Sequence, residues 1–101
     1  MDPRLDIHEA LRALAHLGRL EFLKWLKYPE RYFGLPSAHV QGGVPAGRFE
    51  WEGLSQSAAS QNLAILQRAG LLTSRRVGST ILYRRNEESI AQLKRWLEKE
   101  I

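Results

Sequence analysis

Cysteine is absent from the 101 residues. Without a thiol the chain can form no disulfide, present no thiolate to a metal, and mount neither a cysteine nucleophile nor a thiol redox switch. Long apolar runs are missing as well. No stretch approaches the roughly 20 apolar residues that a membrane-crossing helix requires. The leading MDPRLDIHEALRALAHL scatters charges where a signal peptide would be continuously hydrophobic. We therefore expect a cytoplasmic protein with no membrane partner. There is no complete Gly-rich phosphate motif and no paired metal-binding acidic pattern. Ser55, Ser57 and Ser60 cluster without a neighbouring His and orienting acid, and Glu50 and Glu52 alternate as surface acids do. Neither catalysis nor a cofactor is expected.

What is present is a basic, foldable chain. Lys and Arg number 15 against 11 Asp and Glu, a formal charge of +4, and 44% of residues are hydrophobic. The excess favours a polyanionic partner, although it serves solubility or a membrane surface equally well, so charge alone does not identify DNA. The length suits one core and leaves no room for a second, separate one, so a single domain over 1–101 is expected.

Apolar spacing divides the chain. Ile7, Leu11 and Leu14 share one face of a helix expected over Leu5 to His16. Leu20, Leu23 and Leu26, widened by Phe22 and Trp25, predict a second helix over Leu17 to Lys27, which Pro29 stops. Repeated Gly and Pro then make residues 29–47 an irregular connection or a small hairpin, followed by a short helical piece around Arg48 to Trp51 and a turn at Gly53. Ser55 is placed to cap a helix from Gln56 to Ala69, and Gly70 to end it. In that helix Ala59, Leu63 and Leu66 face inward while Gln56, Ser57, Ser60 and Gln61 lie toward another surface. Leu71 to Arg76 and Thr80 to Arg85, with Ile81 and Tyr83 at period two, read as strands joined through Val77, Gly78 and Ser79. Asn86 can cap a last helix carrying Ile90, Leu93, Trp96, Leu97 and Ile101 on a broad apolar face. The fold class is mainly α with a small β-hairpin.

A helix led by Gln and Ser can enter a major groove without bulky obstruction. Gln56 or Gln61 can pair with an adenine edge, and Ser57 and Ser60 with base edges or phosphates. Arg75, Arg76, Arg84 and Arg85 place positive charge beside the hairpin, where phosphates would be held. Double-stranded operator DNA is the expected partner. The alternative is a protein-interaction module or antirepressor whose Gln/Ser helix faces a protein groove.

The tract GLSQSAASQNLAILQRAGLLTSRRVGSTILYRR, together with ALRALAHLGRLEFLKWL, resembles the ArsR-like family of bacterial winged helix-turn-helix repressors. The resemblance implies a homodimeric transcriptional repressor that often releases DNA after a ligand or redox event. It places Gln56, Ser57, Ser60, Gln61 and Asn62 on the recognition surface, with Arg75, Arg76 and Ser79 around the wing. The chain departs from the family at several points. Gln61 and Asn62 stand where many relatives carry a His pair, Ser79 where a positive residue is frequent, and Leu17 and Gly18 where Pro and a small hydroxyl residue are common. The Gly-rich connection is also longer, so operator preference does not transfer.

Two further expectations concern assembly and sensing. The apolar Leu11, Leu14, Leu93, Trp96, Leu97 and Ile101, near the two chain ends, are assigned to a homodimer interface. His8, His16 and His39 lack local zinc spacing, and a site built across the dimer with Glu98 or Glu100 is the less favoured reading, so no metal ligand is assigned. Without Cys, a release signal would be a noncovalent small molecule or a protein.

Overall fold

The computed structural model describes residues 5–34, 43–50 and 54–101. Helix α1 (Ile7–Leu14) starts where Asp6 accepts the Glu9 amide at 3.1 Å. Helix α2 (Leu17–Lys27) starts where the His16 Nδ1 accepts the Gly18 amide at 3.1 Å. Both caps satisfy donors that a helix start leaves unpaired. Pro29 ends α2 but also opens a short helix α3 (Pro29–Phe33), because its fixed φ suits a first helical position where no amide is needed.

Strand β1 (Val44–Pro45) and a 3₁₀ turn (Ala46–Phe49) lead toward helix α4 (Gln56–Arg68). Strands β2 (Leu72–Val77) and β3 (Thr80–Arg85) and helix α5 (Glu87–Glu100) complete the order. The sheet is antiparallel in the order β1-β3-β2, with Val44 opposite Tyr83, Leu72 opposite Arg85, and Val77 opposite Thr80 across a two-residue turn. Gly43 has φ +106, and a Cβ there would stand 2.9 Å from the Leu82 Cβ, so only glycine lets the connection approach β3 this closely.

The elements meet over one apolar cluster. Phe22, Val44, Phe49, Leu63, Leu66, Leu71 and Leu72 are all fully enclosed. Phe49 is its aromatic hub, with ring centroids 5.0 Å from Phe22, 5.2 Å from Phe33, 6.4 Å from Tyr83 and 6.5 Å from Trp25. Thus the described end of the Gly/Pro-rich connection is anchored in the core and supplies an edge strand. Neither β1 nor α3 was expected from the sequence pattern. The expected piece at Arg48 to Trp51 is the turn Ala46–Phe49, while Trp51, Glu52, Gly53 and His39 lie outside the described residues.

Two assignments change with the packing. Leu93, expected at a dimer surface, is 4% exposed and belongs to this chain's own core, because α5 turns it inward with Ile90. Arg85, expected beside the wing, turns back instead. Its Nε and Nη2 bond Glu87 at 2.8 and 3.2 Å and its Nη1 donates to the Leu23 carbonyl at 3.1 Å, joining β3 to α2 and α5. The Arg85 hydrogen bond holds the Glu87 carboxyl below the usual carboxylate range.

Removing the hub ring should destabilise the fold strongly. Phe49→Ala leaves a cavity between α2, α3 and β3 and should cost about 3 to 5 kcal/mol, read as a lower urea midpoint at fixed protein concentration. A loss near zero would show that the connection does not brace the core.

Candidate nucleic-acid interface

The local sequence makes α4 a well-defined helix. Ser55 Oγ accepts the Ala58 amide at 3.1 Å, and its carbonyl accepts the Ala59 amide at 2.9 Å. At the other end Gly70, at φ +84, donates to the Gln67 carbonyl at 2.9 Å while Leu71 donates to the Leu66 carbonyl at 3.0 Å. This left-handed closure satisfies carbonyls that would otherwise be orphaned and turns the chain straight into β2. Helix and hairpin are therefore held in a fixed relation by three residues, Ala69 to Leu71.

The helical period then sorts the side chains. Ala59, Leu63 and Leu66 are buried, and Gln56, Ser57, Ser60 and Gln61 are exposed. No acid stands in the first turn, so the partial positive charge of the helix N-terminus is not neutralised from within the helix. Such a surface can donate and accept hydrogen bonds at base edges and attract phosphate.

Asn62 is not on that surface. It is 8% exposed, on the inner edge of α4, where its Oδ1 accepts from the Arg19 Nη1 at 3.3 Å. Arg19 also donates from Nε to the Ala13 carbonyl at 2.6 Å, so one guanidinium ties the junction of α1 and α2 to α4. The role that the resemblance implied for Asn62 is corrected to a buried positioning contact. Its place one residue before Leu63 and three after Ala59 already puts it near the buried face. Nothing in the sequence pattern singles out Arg19.

Arg75, Arg76, Val77, Gly78, Ser79 and Thr80 are all exposed along the hairpin and its tip. Arg75 pairs in register with Leu82 and Arg76 with Ile81. Adjacent residues on a strand project to opposite faces, so the two guanidiniums extend to either side of the ribbon. Ser79 occupies the turn itself. Among the described residues no group of three or more His, Asp or Glu could hold a metal ion, and no helix is long and apolar enough to cross a membrane.

Comparison with known proteins places this arrangement of capped helix and hairpin in a family. The chain is 39% identical over 98 residues to YbzH of Bacillus subtilis (strain 168), an uncharacterized HTH-type transcriptional regulator, covering 92% of this chain and 96% of that protein. The chain belongs to the bacterial winged helix-turn-helix transcriptional regulators. Among solved structures, HlyU from Vibrio cholerae N16961 superposes with a TM-score of 0.60 at 30% identity, covering 85% of this chain and 82% of that one. Rv0081 of M. tuberculosis gives 0.60 at 29%, covering 91% and 81%. HlyU of Vibrio vulnificus CMCP6, a transcriptional regulator, gives 0.54 at 29%, covering 92% and 85%. No family model matches the chain. The regulator is thus a DNA-binding transcription factor with a mainly helical, winged fold, and its kinship is with regulators rather than with enzymes.

Proposed function

We propose that the protein is an ArsR-like repressor that acts as a homodimer on a two-fold operator in double-stranded DNA. The observation that carries this reading is the exposed set Gln56, Ser57, Ser60 and Gln61 on a helix whose first turn holds no acid, rigidly coupled to a hairpin bearing Arg75 and Arg76. Gln56 or Gln61 reads a base edge, Ser57 and Ser60 contact base edges or phosphates, and Arg75, Arg76 and Ser79 grip the backbone. Stable occupancy of an operator would exclude polymerase, which makes repression the simplest outcome. One domain over 1–101 carries both DNA binding and dimerisation, and release is driven by a noncovalent small molecule or by a protein. The expected setting is the cytoplasm.

The dimer uses the apolar surface near the chain ends. The Leu5 amide donates to the Gln92 Oε1 at 3.3 Å, so the start of the chain and α5 lie side by side. Leu11, Leu14 and Leu97 are only partly covered by the core, Trp96 is half-buried and Ile101 is 94% exposed. A second copy would cover this surface.

Base reading and phosphate gripping separate in titrations over salt. Replacing the contacting glutamine, Gln56 or Gln61, by Ala should cost about 1 to 3 kcal/mol on the preferred operator and less on scrambled duplex. Arg76→Ala should weaken both duplexes and lower the slope of log affinity against log salt by up to about 1. Equal losses on both duplexes for each glutamine variant would remove the base-reading role. For the dimer, Leu97→Asp together with Ile101→Asp should raise the monomer fraction in sedimentation at low micromolar concentration while helix content is retained. An unchanged dimer would reject this interface. Leu93 is unsuited to the test because a charge there would disrupt the monomer's own core.

A further inference from the structure

Between α1, the start of α2 and the C-terminal half of α4 lies a cleft of about 300 Å³ lined by Glu9, Arg12, Ala13, Arg19, Ile65 and Arg68. None of these residues belongs to the recognition face or the hairpin. Three arginines and one glutamate thus line it together with the buried Ala13 and half-buried Ile65. Arg19 is fixed by its bonds to the Ala13 carbonyl and to Asn62, both made from Nε and Nη1. Among the described residues, neither Arg12 nor Arg68 is ion-paired.

We propose that this cleft binds a small organic carboxylate bearing a hydrogen-bond donor, and that its occupancy regulates the DNA-binding helix. A planar carboxylate matches the fork of a guanidinium through two parallel hydrogen bonds. Ala13 and Ile65 accept an apolar body, and Glu9 accepts from a hydroxyl or amine on it. The volume stands at the low end of ligand pockets, which limits the occupant to a small molecule.

A DNA backbone fits the cleft less well. Gln56 and Arg68 are the first and last residues of α4, so at 1.5 Å rise per residue they stand about 18 Å apart along the helix. Glu9 would also repel a phosphodiester. The proposed dimer leaves the cleft open, because the helical spacing of α1 sets Glu9 and Arg12 on the side away from Leu11 and Leu14. Coupling runs through Arg19. A carboxylate drawing on that guanidinium competes with the Asn62 Oδ1, and the buried Asn62, which lies in α4 one residue beyond Gln61, then loses its partner on α2. The regulatory half rests on the repressor reading above, whereas ligand binding does not.

The test is a titration without DNA, following backbone amide resonances of the full chain. 4-Hydroxybenzoate should give saturable shifts at residues 9–19 and 62–68. The neutral 4-hydroxybenzamide should bind at least about tenfold more weakly, and Arg12→Gln with Arg68→Gln should weaken the benzoate by about tenfold without disturbing the rest of the spectrum. Absent or unsaturable shifts, equal binding of the amide, or an unchanged response in the double variant would overturn the site. Inorganic phosphate binding there as tightly as the benzoate would overturn the organic-carboxylate assignment. If the double variant lost only DNA affinity and salt slope, the arginines would be phosphate contacts and the proposal would fall. On an operator, saturating 4-hydroxybenzoate should change wild-type affinity by about fivefold or more, within the usual range of allosteric coupling, and the double variant should need about tenfold more of it for the same change. Binding without that change would overturn the regulatory half. A wild-type protein that bound no duplex would count against the repressor reading, and the DNA-free titration would still decide the cleft.

Discussion

Phe49 meets rings from α2, α3 and β3 at centroid distances of 5.0 to 6.5 Å, and much of the arrangement depends on that contact. The stretch before α4 is rich in Gly and Pro and has no extended helical pattern of its own. Burying Phe49 and Val44 anchors its described end, which adds β1 to the sheet and braces β3 from the side away from β2. The hairpin is therefore stiffened at its base while its tip stays in solvent. A basic arm that is rigid where it leaves the protein loses less conformational freedom on meeting a phosphate backbone.

Helix α4 is held from both ends and from beneath. Ser55 and Gly70 close its termini, Leu63 and Leu66 seat it in the core, and the Arg19–Asn62 bond fixes its inner edge to the start of α2. The exposed Gln and Ser side chains thus project from a preorganised backbone. Arg85 serves the hairpin in a comparable way, since its bonds to Leu23 and Glu87 tie the returning strand to two helices. Charges near a wing need not all face DNA.

Helix α4 was legible in the sequence because cap, apolar spacing and terminal glycine agree, α5 because its Asn86 cap and apolar spacing agree, and the hairpin because two strand-like runs flank Gly78. The α4 boundary differs by one residue, Arg68 for Ala69, which is within the fraying of any helix end. Elements α3 and β1 were not legible. Pro29 reads as a stop although it can also begin a helix, and two residues including a proline carry no alternation to detect. At the candidate site, the four exposed residues of α4 follow from periodicity alone. Asn62 came from family resemblance, and packing moves it inward. Arg19 and Phe49 act through partners far away in sequence, so only the fold reveals them.

In the proposed repressor, α4 reads base identity while the hairpin supplies sequence-independent grip. Selection by the wild-type protein from a randomised duplex pool at two salt concentrations tests it most directly. An inverted repeat with half-sites about one helical turn apart should be enriched. Raising the salt should weaken overall recovery while the same bases remain enriched. Recovery of duplex with no preferred bases at either salt would mean that α4 reads no base.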